Sequence, residues 1–193
     1  MKHQTLNVKS IKFRFNEKLQ YFVGVFLFVI LSIFISSCAT SIYSQAEVDK
    51  YFTQESAKAK TSPILLQIPK GWHVIDANNE AFIDLLFVRN DLNLTLSLLP
   101  FYSNSTSNNL EKNCETSILL QQAKHKNKLE IKKEIPTEIG DKKVLTYSFS
   151  IDGKNYRIML FEHNEKQYEL TLFGSKNIEI EYYLQELVIF SAK

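Results

Sequence analysis

The stretch VLTYSFSIDGKNYRIMLFEHNEKQYELTLFG, residues 144–174, decides the fold. Leu145, Tyr147, Phe149 and Ile151 alternate with Thr146, Ser148 and Ser150, the period of two that puts one face of a strand in a core. Asp152 and Gly153 follow as a hairpin signal, because a type I′ turn needs positive φ and glycine supplies it without steric cost. They pair Val144–Ile151 with Asn155–His163. Asn164 and Glu165 then turn the chain into Gln167–Phe173, where Tyr168, Leu170 and Leu172 alternate with Glu169 and Thr171. The result is an antiparallel meander.

C-terminal to it, Asn177 is placed to cap a helix with Ile180, Tyr183, Leu184, Leu187 and Val188 on one stripe. Such a helix must cover the sheet. N-terminal to it, Leu129–Ile135 reads as a further strand, and Asn108 with Glu111 reads as the cap of a helix to about His125. Leu110, Cys114, Ile118 and Leu119 form that helix's apolar stripe, and Lys112, Asn113 and Glu115 its opposite face. Phe82–Arg89 and Leu92–Leu99 form a hairpin about Asn90 and Asp91, with Pro100 ending the second strand. Ile64, Leu66 and Ile68 alternate in a short strand before the turn Pro69-Lys70-Gly71, which leads into Trp72. The expected fold class is α+β: an α/β/α sandwich with a central antiparallel sheet of about six strands and two flanking helices.

The domain is expected to span 63–193. Before it, Ala39–Ser62 has few large apolar residues and reads as a tether, with a short helix signalled by Ser44, Glu47, Val48, Tyr51 and Phe52. Earlier still, Tyr21–Cys38 reads YFVGVFLFVILSIFISSC, behind a basic flank of Lys2, Lys9, Lys12, Arg14 and Lys18. A positive flank is held on the cytoplasmic side of a membrane. Tyr21–Ile35 carries no charge or amide, and as a helix it reaches roughly 22 Å, short of the ~30 Å hydrocarbon core. That length suits a signal peptide, residues 1–37, better than a permanent span.

Ile35, Ser36, Ser37 and Cys38 resemble the bacterial lipobox, an aliphatic residue and two small ones before a cysteine. The resemblance implies signal-peptidase recognition at Ile35, Ser36 and Ser37 and lipidation at Cys38, since only a thiol is nucleophilic enough to be alkylated. An uncleaved inner-membrane anchor, or a conventional cut nearby, is the alternative. Acyl chains contribute ~0.8 kcal/mol per buried CH₂, so two or three attach a domain durably. The implied location is the cell envelope, with Ala39 in place of the aspartate that resembles an inner-membrane retention signal. Outer-membrane attachment facing the periplasm is therefore expected.

The leader holds five of the 23 basic and one of the 21 acidic residues, so the remaining 156 residues carry −2 where the whole chain carries +2. Without a dense basic cluster, that balance argues against a nucleic-acid partner. With Cys38 lipidated, Cys114 stands alone, either buried or paired with another molecule, and its place on a helix stripe favours the buried thiol.

The order of elements resembles the PsbP/Mog1-like superfamily, which includes bacterial lipoproteins of the DcrB kind. The residues that carry the resemblance are Ile68-Pro69-Lys70-Gly71-Trp72, Tyr147–Gly153, Tyr156–Phe161, Lys166-Gln167-Tyr168-Glu169-Leu170 and Leu187–Ser191. The chain departs in its Phe190-Ser191 ending and in the Lys-rich segment Lys124–Lys133. The resemblance implies a docking or accessory module, not an enzyme, and transfers no functional residues.

The chemical inventory agrees with that implication. His73, His125 and His163 fall in no metal-ligand spacing, and no catalytic residues, metal ligands or cofactor-binding residues are expected. Asp76 with Glu80 or Asp84 could form a carboxylate pair in space, although solvated loop acids are the simpler reading. Phe101, Tyr102, Tyr182 and Tyr183 are the aromatic candidates for a protein contact, with Tyr182 off the buried stripe. Two functions follow: a membrane-anchored, non-catalytic binding or accessory module with an envelope protein partner, or a small-ligand carrier or cryptic hydrolase using a cleft between sheet and helix.

Overall fold

The computed structural model describes residues 43–76, 82–91, 93–101, 109–126, 128–175 and 178–193. The leader, the lipobox residues Ile35, Ser36, Ser37 and Cys38, and the candidates Glu80, Tyr102, Asn108 and Asn177 lie outside the described residues.

Helix α1 (Gln45–Tyr51) is capped by the Ser44 hydroxyl, which accepts from the Glu47 amide at 3.3 Å, the capping pattern read from the sequence. The chain passes from it directly into β1 (Phe52–Lys58), antiparallel to β2 (Leu65–Pro69). Much of the expected tether is therefore folded: Val48, Phe52, Ala57 and Ala59 are buried, and the compact unit begins at Tyr43. Four well-spaced small or apolar residues suffice because this helix and two-stranded sheet lean on a larger core.

That core belongs to β3 (Trp72–Ile75), β4 (Leu85–Arg89), β5 (Leu94–Phe101), β6 (Lys132–Lys133), β7 (Thr137–Ile139), β8 (Lys142–Ile151), β9 (Lys154–His163) and β10 (Lys166–Gly174). They form one antiparallel sheet in the order β3-β4-β5-β10-β9-β8-β6, with β7 also on β8. Among the described residues the main sheet thus has eight strands where about six were expected. The meander is as read: Asp152 (φ 49°) with Gly153 (φ 70°), and Asn164 (φ 50°) with Glu165 (φ 62°), make its two left-handed turns.

Two strand readings need correction. Leu129–Ile135 contributes only Lys132 and Lys133, opposite Ser148 and Tyr147 on β8; Pro136 interrupts pairing, and β7 resumes on the same strand. Pro100 does not end β5, which continues to Phe101 beside β10. Strand β4 stops opposite Leu98, so at Pro100 the strand is an edge on that side, where proline is tolerated.

Helix α2 (Leu110–Lys124) lies over one sheet face, burying Leu110, Cys114 and Ile118 with Tyr147, Phe149, Ile158 and Leu160. Its cap is Asn109, whose side-chain oxygen accepts from the Lys112 amide at 3.0 Å. Asn113 is buried and Leu119 exposed, the reverse of the helical reading, because Asn113 finds a polar partner in the sheet. On the other face, Leu184, Leu187 and Val188 of α3 (Tyr182–Phe190) meet Phe87, Leu96, Met159 and Leu170. A 3₁₀ turn, Ile178–Glu181, precedes α3 and leaves Ile180 exposed. The architecture is α+β, with three α-helices and ten strands among the described residues.

Candidate functional site

Strand β9 carries a charge in the middle of an apolar run, Tyr156-Arg157-Ile158-Met159-Leu160-Phe161. Alternation sends Ile158 and Leu160 toward α2, and Arg157 toward α3, where it is 3% exposed. Its Nε and Nη2 donate to the two carboxylate oxygens of Glu134 at 2.9 and 2.8 Å. Nη2 also reaches Glu186 at 2.9 Å, and Nη1 reaches the Gln185 side-chain oxygen at 3.3 Å. The guanidinium lies 4.3 Å from the centre of the Tyr182 ring. Burial works against the charge, but the hydrogen bonds it donates to Glu134 and Glu186, with their negative charges, outweigh it and leave the guanidinium more basic than usual. Tyr182, expected off the buried stripe, is thus half-buried against a cation.

Beside this arginine, sheet and α3 part to form a cleft of about 290 Å³. Ser148, Ser150 and Asn155 line it from the sheet, Lys132 from β6, and Glu179 and Tyr182 from the helical side. Ser150 donates to the Asn155 side-chain oxygen at 2.6 Å. The arrangement offers hydroxyls, an amide and charges of both signs to a small polar molecule.

A second polar group sits beneath α2. The Ser117 hydroxyl donates to Glu169 Oε2 at 2.5 Å and shares a 2.6 Å hydrogen bond with the Tyr147 hydroxyl, while Thr171 donates to Glu169 Oε1 at 3.2 Å. The Asn113 amide donates to Gln167 at 2.5 Å. Burial raises the Glu169 carboxyl above its ordinary value, more than the Ser117 and Thr171 hydrogen bonds lower it. Burial likewise raises Tyr147, with the Glu169 charge adding to it. These groups fasten the helix to β8 and β10. Sequence reading missed them; a Ser and an Asn on the turns beside an apolar stripe, facing Gln and Glu on alternating strand positions, are the signal that could have found them.

The surface around the C-terminal half of α2 is different. From Thr116 to Leu129 the chain holds Lys124, Lys126, Lys128 and His125 and no acid. Among the described residues, lysine ion pairs involve Lys60, Lys142 and Lys143, not these three. Leu119 and Leu120 stand beside them, 64% and 61% exposed. His125 lies against Phe149, 6.1 Å between ring centres, which brings this end of α2 to the β8–β9 hairpin, whose turn carries Asp152 and Lys154.

The remaining candidates are structural. His73 Nδ1 faces the Asn90 side-chain oxygen at 3.2 Å, and His163 is held below the usual histidine range by burial and then by Lys142. Asp84 accepts from the Thr61 amide and the Ser62 hydroxyl, both at 2.5 Å, and is 2% exposed; Asp76 is an exposed partner of Lys60 at 3.5 Å. Asp84 thus holds a loop. Phe101 is half-buried against the α2 core, and Cys114 is a free, buried thiol. Among the described residues no cluster of histidine, cysteine or acids is arranged to hold a metal ion, and no helix is long and apolar enough to cross a membrane.

No protein-family profile matches the chain, and no curated protein matches its sequence. Its fold is similar to the solution structure of cyanobacterial PsbP (CyanoP) from Synechocystis, with a TM-score of 0.55 at 11% identity over 72% of this chain and 91% of that one. A Mog1 variant matches with a TM-score of 0.43 at 10% identity, covering 71% of this chain and 86% of that one. A protein of unknown function from Pseudomonas aeruginosa gives 0.36 at 12%, covering 73% and 95%. The fold of the chain is PsbP-like, in line with the sequence resemblance.

Proposed function

We propose that this chain is a membrane-anchored lipoprotein of the cell envelope, attached through Cys38, whose PsbP/Mog1-like domain serves as a non-catalytic accessory module for an envelope protein. The observation that carries the docking role is the pole of α2, where Leu119 and Leu120 stand exposed beside Lys124, Lys126 and Lys128, which form no ion pair among the described residues. Apolar side chains rimmed by free cations suit an acidic protein surface, since like sign would be repelled and opposite sign steered in. The lipobox-like residues Ile35, Ser36 and Ser37 support the anchor, and Ala39 supports outer-membrane delivery facing the periplasm.

A photo-crosslinking residue in place of Leu120, in native membranes, tests the docking role. A discrete adduct that disappears in Lys124→Glu/Lys126→Glu/Lys128→Glu supports it; no adduct, or one indifferent to the charge reversal, counts against it. Labelled palmitate that enters the wild type and not Cys38→Ser supports the anchor.

The second reading, a small-ligand carrier or hydrolase, draws on the cleft between sheet and α3. Its polar lining favours a carrier over a hydrolase.

A further inference from the structure

Residues 39–42 are all that separates Cys38 from Tyr43, the first residue of the compact domain. Even fully extended, the steps from Cys38 to Tyr43 reach roughly 17 Å. Tyr43 itself is fixed. Its hydroxyl donates to Glu186 at 2.9 Å, and its ring stacks on Tyr183 and Phe190 with centres 6.2 and 5.8 Å away. A lipid on Cys38 therefore holds the α1/α3 side of the sandwich within roughly 17 Å of the headgroups. The layer covered by α2 lies on the other face of the sheet from this leash.

The surface at that short leash has a particular composition. Tyr51, 36% exposed, meets Tyr183 edge-on at 5.9 Å, and the Lys50 ammonium lies 5.0 Å over the Tyr51 ring. The nearby acids Glu47 and Glu186 accept from the Tyr183 and Tyr43 hydroxyls at 3.3 and 2.9 Å, and Asp49 accepts from the Gln45 side-chain amide at 2.9 Å. Tyrosine combines an apolar ring with a polar tip and partitions to the headgroup layer, where a neighbouring lysine meets phosphate.

We propose that Tyr43, Tyr51, Tyr183 and Lys50 form a shelf that rests on the membrane anchoring Cys38, so that the domain has a fixed orientation with the α2 pole turned to the aqueous compartment. The shelf is built from residues of α1 and α3 and the chain just before them, which share one buried core. This inference rests on the lipoprotein reading, and it makes the anchor and the docking pole opposite ends of one object.

Site-directed spin labelling tests it on the full-length protein, extracted from bacterial membranes, checked by mass for acylation and placed in vesicles of phosphatidylethanolamine and phosphatidylglycerol. Lys50→Cys and Lys126→Cys are both exposed positions, and Cys114, being buried, stays wild type with an unmutated control for its labelling. The expected result is a label at position 50 several-fold less accessible to a water-soluble nickel chelate, and more accessible to oxygen, than the label at 126. Equal nickel accessibility at both positions on acylated protein overturns the orientation and leaves the anchor standing. An unacylated mass overturns the anchor and the orientation with it.

Discussion

Arg157 and Glu134 face each other as a fork: Nε and Nη2 of the guanidinium donate to the two carboxylate oxygens at 2.9 and 2.8 Å, with the arginine side chain nearly sealed from water. Two parallel charge-assisted bonds fix geometry as well as energy. Together with Glu186 and the Tyr182 ring, they tie β9 to α3 and to the segment that links β6 to β7.

Removing that arginine leaves Glu134 and Glu186 without their counter-charge and opens a cavity under α3. Arg157→Ala is expected to lower stability by about 3–5 kcal/mol, and Arg157→Lys by less, because an ammonium keeps the charge and loses the fork. Urea unfolding at neutral pH measures both. A loss below about 1 kcal/mol for the alanine variant would place the pair among weak surface bridges.

Glu169 makes stability depend on pH in a definite direction. Its folded value lies above the ordinary 4.5, chiefly through burial, so the folded state binds the proton more tightly than the unfolded one. That contribution is fully present below 4.5 and is lost as pH rises through the folded value. Glu169→Gln cannot titrate, so the stability of the wild type relative to this variant should fall as pH is raised above 4.5. Urea midpoints across pH 4 to 8 report the difference; a difference independent of pH would refute it.

Gly174 ends β10 where no side chain fits. A Cβ there would stand 2.1 Å from Leu94 Cδ2 and 2.7 Å from the Asn93 carbonyl oxygen, and the second neighbour is backbone. Gly174→Ala is expected to cost about 1–3 kcal/mol by overpacking, read as a fall in Tm of about 2–4 °C for each kcal/mol.

Cys114 should be silent toward thiol reagents in the folded protein. It is 8% exposed, and burial raises the thiol above its ordinary value, so the reactive thiolate is scarce and sheltered. Labelling is expected to follow unfolding in urea. Rapid labelling of the native protein would show that α2 lifts from the sheet.

The sequence by itself determined the elements whose information is local. The alternation of Leu145, Tyr147 and Phe149, the Asp152-Gly153 turn, the Ser44 cap and the stripe of Leu184, Leu187 and Val188 all act within a few residues, through φ preference and the period of the backbone. The tertiary structure decided what depends on partners far along the chain. It joined the first hairpin to the meander by pairing β5 with β10, drew Gln45–Lys58 out of the expected tether into the core, and cut the expected strand Leu129–Ile135 to Lys132–Lys133 while adding β7 beyond Pro136. It also decided the fate of the charges. Arg157 and Glu169 occupy alternating strand positions that would be equally consistent with solvent, and only the arrival of α3 with Glu186 and of α2 with Ser117 makes burial tolerable. A buried charge is stable only beside its partner, and the partner's position is a property of the fold.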